Sequence, residues 1–291
     1  MPLDAERKML YNNGNSKVFG GNRMNSIPLD MSLALRGCRV GSRLLCLDSV
    51  DSTNNEAKRQ AALGTEEGLV ILSDHQTSGR GRAGRTFHSP QGRGLYLSAL
   101  LRPALPPEDV VNFTAWAAVA VCDGIQSACG VRPRIKWTND LVLNGQKLCG
   151  ILTELGLNQK TGALDYLVVG IGVNVDHTDQ DFPEDLRSIA TSLRMELGQP
   201  VDRATLTVEI IRALDRMYTR FPNDKDAYLK QYRSDCLTVG NPVRLITPAS
   251  CRDAFATGID EDFRLLVELP DGSTQAVSTG EVSVRGIYGY V

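Results

Sequence analysis

Between Gly79 and Arg85 the chain reads Gly-Arg-Gly-Arg-Ala-Gly-Arg, three guanidinium groups on a backbone broken by glycine. Arginine forks match carboxylate and phosphate oxygens in pairs, so such a loop suits an oligophosphate or an acyl phosphate. From His75 to Pro107 there is no Asp or Glu, yet Arg80, Arg82, Arg85, Arg93 and Arg102 all fall in that span. Like charges and repeated glycines predict a loop with no fixed fold in the absence of ligand. The spacing also satisfies G-x-G-x-x-G, but a dinucleotide fingerprint needs a helix to open within the glycines and an acid about 20 residues later. Thr86 to Gly92, with Pro90 inside it, opens no helix. Two blander readings remain, a solvated loop and an RGG-like RNA-binding segment. The missing acids argue against the first, and the single aromatic, Phe87, against the second.

Other residues with chemical potential are scattered. Lys147 follows Asn144-Gly145, a hairpin signal between two apolar runs, and taken alone is a surface hairpin lysine. Lys136-Trp137-Thr138-Asn139-Asp140 ends a strand and is equally a polar site or a structural turn, with Trp137 either pocket wall or plain core. Asn174 sits at a strand end, where a turn role is the simple explanation. Ser52-Thr53-Asn54-Asn55-Glu56 fits a capping box led by Thr53. The seven cysteines (38, 46, 122, 129, 149, 236 and 251) are odd in number and form no CxxC pair, and three histidines are too few to complete a metal site with them. Reduced thiols follow, with Cys122 and Cys129 as core packing.

Strands are expected over 43–50, 68–76, 94–102, 134–137 and 164–175, and a hairpin over 141–155. Helices are expected from Thr53 to Leu63, from Glu108 to Cys129, over 203–221 and over 224–233. Residues 11–25 show neither helical nor strand periodicity and read as loop or tail, so the folded chain is expected to begin near Gly41, and loss of residues 1–40 to cost no core. Beyond Cys236 the texture becomes short strands and turns. The expected fold class is α+β, a mixed sheet packed with helices plus a small all-β unit. The expected boundaries are 1–42 for an N-terminal extension, 43–235 for the α+β domain and 236–291 for the C-terminal domain.

A formal charge of −2 and a pI near 6.0 give no general attraction to nucleic acid or anionic membrane. The most apolar stretch, Val110 to Cys129, is interrupted by Asn112, Asp123 and Gln126, so no membrane span is expected. The N-terminus carries no secretory pattern, and cytoplasm is the expected compartment.

Five motifs occur in one order: Asp51-Ser52-Thr53-Asn54; Gln76 with Gly79 to Arg85; Lys136 to Asp140; Lys147-Leu148-Cys149-Gly150-Ile151-Leu152; and Gly170-Ile171-Gly172-Val173-Asn174-Val175. In this order they resemble the biotin–protein ligases, and Gly258-Ile259-Asp260 with Gly280 to Arg285 resembles that family's C-terminal SH3-like barrel. The resemblance implies a class II synthetase-like catalytic sheet and an enzyme that uses ATP and Mg²⁺ to make biotinyl-5'-adenylate. Biotin then passes to a lysine of a biotin carboxyl carrier protein or domain. Related possibilities are lipoate or octanoate transfer on a similar fold, and a biotin-responsive regulator. One short helix (29–36) and no recognition helix precede the core, which points to the monofunctional form without specific DNA binding. A homodimer is compatible with the sequence.

The resemblance also implies roles. Lys147 would bridge the biotin carboxylate and the α-phosphate, with Arg80 and Arg82 closing over biotin and the adenylate as the other catalytic groups. Ser52, Thr53, Asn54, Gln76 and Gly81 would join them in holding biotin. Arg82, Arg85, Phe87, Lys136, Asn139, Asp140 and Asn174 would hold ATP, with Mg²⁺ near Asn139 and Asp140. Three departures stand out: Thr138 replaces a usual Pro, Phe87 a common Trp, and Asp262-Phe263 a usual glycine turn.

Overall fold

The computed structural model describes residues 9–12, 29–247, 250–278 and 283–286. Eight strands form one sheet in the order β1-β2-β3-β4-β8-β7-β6-β5. They are β1 (Met9–Asn12), β2 (Arg43–Leu47), β3 (Leu69–Ser73), β4 (Gly94–Leu101), β5 (Arg134–Lys136), β6 (Asp140–Leu143), β7 (Gln146–Leu157) and β8 (Leu164–Asn174). Only β2 and β3 run parallel. The helices are α1 (Leu29–Ala34), α2 (Thr53–Ala62), α3 (Phe113–Cys129), the short α4 (Glu184–Arg187) and α5 (Leu193–Leu197), then α6 (Arg203–Arg220) and α7 (Lys225–Asp235).

Strand alternation sorts the apolar residues between two layers. Leu44, Val70, Leu97, Ala99, Ile151, Ile171 and Val173 face the main core, covered by α3 and α6. Helix α3 is apolar on nearly every face because it packs against the sheet, α6 and α7 at once. A Cβ at Gly124 would lie 2.7 Å from the Ile210 Cα, so glycine sets the close approach of the two helices. The opposite face is covered by α2 only in part, where Leu45, Ile71, Leu100 and Val168 meet Ala57 and Ala61. The rest of that face, across β4, β8 and β7, carries small and polar residues.

The second sheet runs β12-β11-β10-β9-β13, all antiparallel: β9 (Pro242–Ile246), β10 (Cys251–Ile259), β11 (Leu265–Glu268), β12 (Thr274–Val277) and β13 (Ser283–Gly286). It docks through Phe263, whose ring is 2 % exposed and packs against Trp116 and Tyr232. Phe263 takes the left-handed backbone, φ 60°, that glycine would adopt more readily in this turn. Its carbonyl accepts a hydrogen bond from Trp137 Nε1 at 2.9 Å. Trp137 is therefore core and docking contact.

Several expectations need correction. Packing begins before Gly41, because Met31, Leu35 and Val40 are buried against the main core and α1 touches α6. Tyr11 and Asn12 belong to β1, whose sequence is too short to show a period. The remainder of the expected tail, 13–25, and Gly280 to Val282 of the barrel motif lie outside the described residues. Helix α3 starts at Phe113, after a separate 3₁₀ turn over Pro107–Val110. The N-cap of α2 is Ser52 and not Thr53. Among the described residues no helix is long and apolar enough to cross a membrane.

Candidate active site

The bare part of the sheet is a glycine shelf. Gly150 on β7 pairs with Gly172 on β8, Leu152 with Gly170, and Tyr96 and Ser98 of β4 flank these two glycines in turn. A Cβ on Gly172 would stand 2.5 Å from the Phe87 ring, and one on Gly170 2.0 Å from Asn54 Oδ1. Glycine here makes room for other groups to lie flat on the strands.

At one end of the shelf is a polar cluster built by the start of α2. Gln76 Oε1 accepts from the Thr53 amide at 2.9 Å and from its hydroxyl at 3.2 Å, and Gln76 Nε2 donates to Ser89 Oγ at 2.9 Å. The Ser98 hydroxyl lies 2.8 Å from Thr53 Oγ1 and 2.6 Å from Asn54 Oδ1. Ser52, Thr53 and Asn54 are all buried. With Thr53 released from capping, its hydroxyl faces Gln76 and Ser98.

At the other end stands Lys147, placed by a β-bulge. In a regular strand Lys147 and Gly150, three residues apart, would project from opposite faces. The register between β6 and β7 shifts at Leu148, with Leu141 opposite Cys149 and Val142 opposite Lys147. The extra residue turns Lys147 onto the shelf side, where its Cε comes within 3.5 Å of a Cβ built on Gly150. Its ammonium pairs with Asp140 at 2.8 Å. The main chain is clasped from outside, with Lys147 N donating to Ile189 O and Thr191 N to Lys147 O. Asn174 braces both, its Nδ2 2.9 Å from Thr191 O and 3.4 Å from Lys147 O.

The glycine–arginine loop covers the shelf as a tight hairpin. Phe87 N donates to Gly79 O and Gly81 N to Arg85 O, around a 3₁₀ turn over Arg82–Gly84. The charges do not drive it apart because partners arrive from outside the acid-free stretch. Arg80 meets Asn55 and Glu154, Arg93 meets Asp181, and Arg102 meets Asp165. Absence of acids nearby in sequence was no guide to absence nearby in space. Arg82 Nη1 donates to Asn139 Oδ1 at 2.9 Å; burial lowers its pKa, and the nearby Asp140 charge opposes that shift. Phe87 lies on Gly150 and Gly172 and meets Tyr96 edge-on.

The expected site residues thus divide. Arg82, Asn139, Asp140, Lys147 and Asn174 gather at one end, with Lys136 buried beneath as the strand partner of Asp140. Ser52, Thr53, Asn54 and Gln76 gather at the other. Arg85 is exposed on the loop, and Gly81 lies in its hairpin. Arg80 stands apart from Lys147: its partner Glu154 is four residues beyond Gly150 on β7, about 13 Å along a strand. Sequence reasoning missed Glu154, Ser89, Ser98 and the strap at 189–191. The available signal was the period-two run of Gly150, Leu152 and Glu154, which marks one face of β7. Among the described residues no group of three or more His, Cys, Asp and Glu gathers to hold a metal. Asp140 alone fits the pattern in which Mg²⁺ takes one protein carboxylate and otherwise phosphate and water.

Residues 46–174 match the profile of the biotin/lipoate A/B protein ligase family, and residues 238–285 that of the biotin protein ligase C-terminal domain. Over 234 residues the chain is 36% identical to the bifunctional ligase/repressor BirA of Bacillus spizizenii, covering 80% of this chain and 71% of that one. The chain belongs to the biotin/lipoate A/B protein ligase family. It is 33% identical over 239 residues to the biotin–[acetyl-CoA-carboxylase] ligase of Mycobacterium tuberculosis, covering 79% of this chain and 85% of that one. A solved family member, the biotin protein ligase of Aquifex aeolicus in complex with biotin and ATP, superposes with a TM-score of 0.71. That match has 27% identity and covers 84% of this chain and 98% of the other. The mixed sheet with a small C-terminal β unit is the fold these ligases share.

Proposed function

We propose that the shelf holds biotin, with its ureido ring at the Thr53, Gln76 and Ser98 end and its carboxylate under Lys147 and Arg82. The chain is a biotin–protein ligase: it activates biotin with ATP as biotinyl-5'-adenylate and transfers biotin to a lysine. The observation that carries the site reading is Lys147, turned by the bulge onto the glycine shelf beneath the arginine loop, opposite a cluster of amide and hydroxyl groups. A ureido ring presents two N–H donors and one carbonyl acceptor, which such a cluster can satisfy. The match of the C-terminal unit to the biotin ligase profile favours biotin over lipoate as the acid.

A carboxylate does not react with an amine until an oxygen is made a leaving group. In the first step a biotin carboxylate oxygen attacks the α-phosphorus of ATP and pyrophosphate leaves. In the second an uncharged lysine amine attacks the acyl carbon, AMP leaves, and the amine proton is lost to solvent. Two unit charges about 4 Å apart at an effective dielectric near 20 repel by roughly 4 kcal/mol. Left unopposed, that repulsion slows the first step on the order of a thousandfold. Lys147 and Arg82 offset it, and Asp140 keeps the Lys147 ammonium aimed across Gly150. Mg²⁺, held by Asp140 and the phosphates, would add further charge neutralisation. Asn174 is proposed for adenine, Phe87 for contact with the nucleotide, Lys136 and Arg85 for the phosphates, and Asn139 for ATP beside the Mg²⁺ position at Asp140. The acceptor is proposed to be a biotin carboxyl carrier protein or domain.

The test is exchange of labelled pyrophosphate into ATP by the purified chain. Exchange that depends on biotin and not on lipoate supports the reading. Exchange driven by lipoate, or none with either acid, overturns it.

A further inference from the structure

Arg80 and Arg82 leave the loop in opposite directions. Arg82 points to Asn139, whereas Arg80 crosses to α2 and β7, donating from Nη1 to Asn55 at 2.7 Å and from Nη2 to Glu154 at 3.1 Å. Glu154 is a carboxylate on a sheet face, with a side chain only 18% exposed, where an ionised group needs partners. It has two from the body of the domain: the Lys58 ammonium on one oxygen, and Asn54 Nδ2 at 2.9 Å on the other. Burial alone would raise its pKa, but the hydrogen bonds from Lys58 and Asn54 and the charges of Lys58 and Arg80 leave it lowered, hence ionised near neutral pH.

This arrangement has the character of a latch. The body donors satisfy Glu154 whether or not the loop is seated, so the loop contact can break without leaving a buried charge bare. When the loop is seated, Arg80 adds two hydrogen bonds that depend on loop position, one to the Asn55 amide oxygen and one, between opposite charges, to Glu154. Asn54 also links Glu154 to Ser98 and so to the polar end of the shelf. We propose that Glu154 is a positioning residue of the ligase, a latch that holds the glycine–arginine loop closed through Arg80 and so sets how long biotinyl-adenylate stays bound. The inference rests on the biotin reading of the shelf and goes beyond it by giving Arg80 and Glu154 a role in retention rather than at the phosphate.

The test compares the full-length protein with Glu154→Gln, Arg80→Gln and the double variant. Biotinyl-adenylate is formed in place, and its release is timed against excess unlabelled ligand. Each single variant is expected to release it about tenfold faster and to raise KM for biotin by a similar factor, with kcat for acceptor biotinylation changed less than about threefold. Because Glu154 reaches the loop only through Arg80, the double variant should be no worse than Arg80→Gln alone, which also loses the Asn55 contact. Unchanged release, a fall in kcat as large as the rise in KM, or losses that multiply in the double variant would each overturn the latch. If Glu154→Gln does not fold, Arg80→Gln, on the exposed loop, carries the test alone with the same two outcomes for release. A wild-type protein that forms no biotinyl-adenylate overturns the functional reading and the latch together. A normal wild type with unaltered variants overturns the latch only.

Discussion

Adding one methyl group at Gly172 tests whether the shelf is shaped for ring contact. An alanine Cβ there would stand 2.5 Å from Phe87 Cε1, 2.7 Å from Cζ and 3.0 Å from Cδ1. Carbon atoms rest at about 3.5–4.0 Å, so the ring must retreat by roughly 1 Å. Overpacking of this kind costs about 1–3 kcal/mol where neighbours cannot yield. Phe87 sits on a loop that can yield, so the cost should appear as a lifted loop rather than as lost stability. Gly172→Ala should weaken biotin binding about ten- to hundredfold by calorimetry, while Tm falls by less than about 4 °C. Gly150→Ala is the graded control, because its Cβ meets the same ring at 3.2 Å and needs only a few tenths of an ångström of movement. It should cost less than about fivefold. Equal losses at the two positions, or native affinity in Gly172→Ala, would refute the argument from ring contact.

Deletion of residues 1–28 removes only β1 among the described elements and should preserve soluble yield. Deletion of residues 1–40 also removes Met31, Leu35 and Val40, each 2% exposed or less, worth about 1.5–3 kcal/mol apiece against a total stability of about 5–15 kcal/mol. That variant should be insoluble or lose cooperative unfolding; a well-folded product would contradict the packing of α1. His177 is fully buried and stacked on Phe182, and burial, with the charge of His88 adding to it, lowers its pKa from 6.5 to about 4. Between those values the unfolded chain binds the extra proton, so stability is highest above pH 6.5 and falls as pH drops toward 4, by up to about 3 kcal/mol. Urea unfolding across that range should show this decline, and His177→Phe should flatten it; equal slopes would refute the assignment.

Much of the fold was written in the sequence because apolar runs are separated by clear turn and cap signals. The long elements from β2 to α7 fall close to where apolar runs, capping and turn signals and, for α6, helical spacing put them, and Asn144-Gly145 turns as expected, both with positive φ. The misses have physical causes. The short helix at 29–36 was expected but its packing was not, because Met31 of α1 and Leu35 and Val40 after it become core only once α6 lies beside them. The partners of the arginines could not be read from the sequence, because Glu154 lies 74 positions from Arg80, and Asp181 is further still from Arg93. Lys147 looked like a surface lysine because a bulge, invisible in period-two reading, decides which way it faces. The motifs that carry the family resemblance did place residues at both ends of the shelf, but the division of labour between Arg80 and Arg82 needed coordinates.

Whether Lys147 acts on the adenylation step is tested most directly by single-turnover rates of the two half-reactions in Lys147→Gln. If its charge offsets the repulsion between carboxylate and α-phosphate, biotinyl-adenylate formation should slow at least about a hundredfold, the roughly 4 kcal/mol repulsion being partly relieved by Arg82 and Mg²⁺. Transfer from supplied biotinyl-adenylate to an acceptor lysine should keep most of its rate, because no like-charged pair has to meet in that step. Equal losses in both steps would make Lys147 a general binding residue, and no loss in either would return it to an ordinary hairpin lysine.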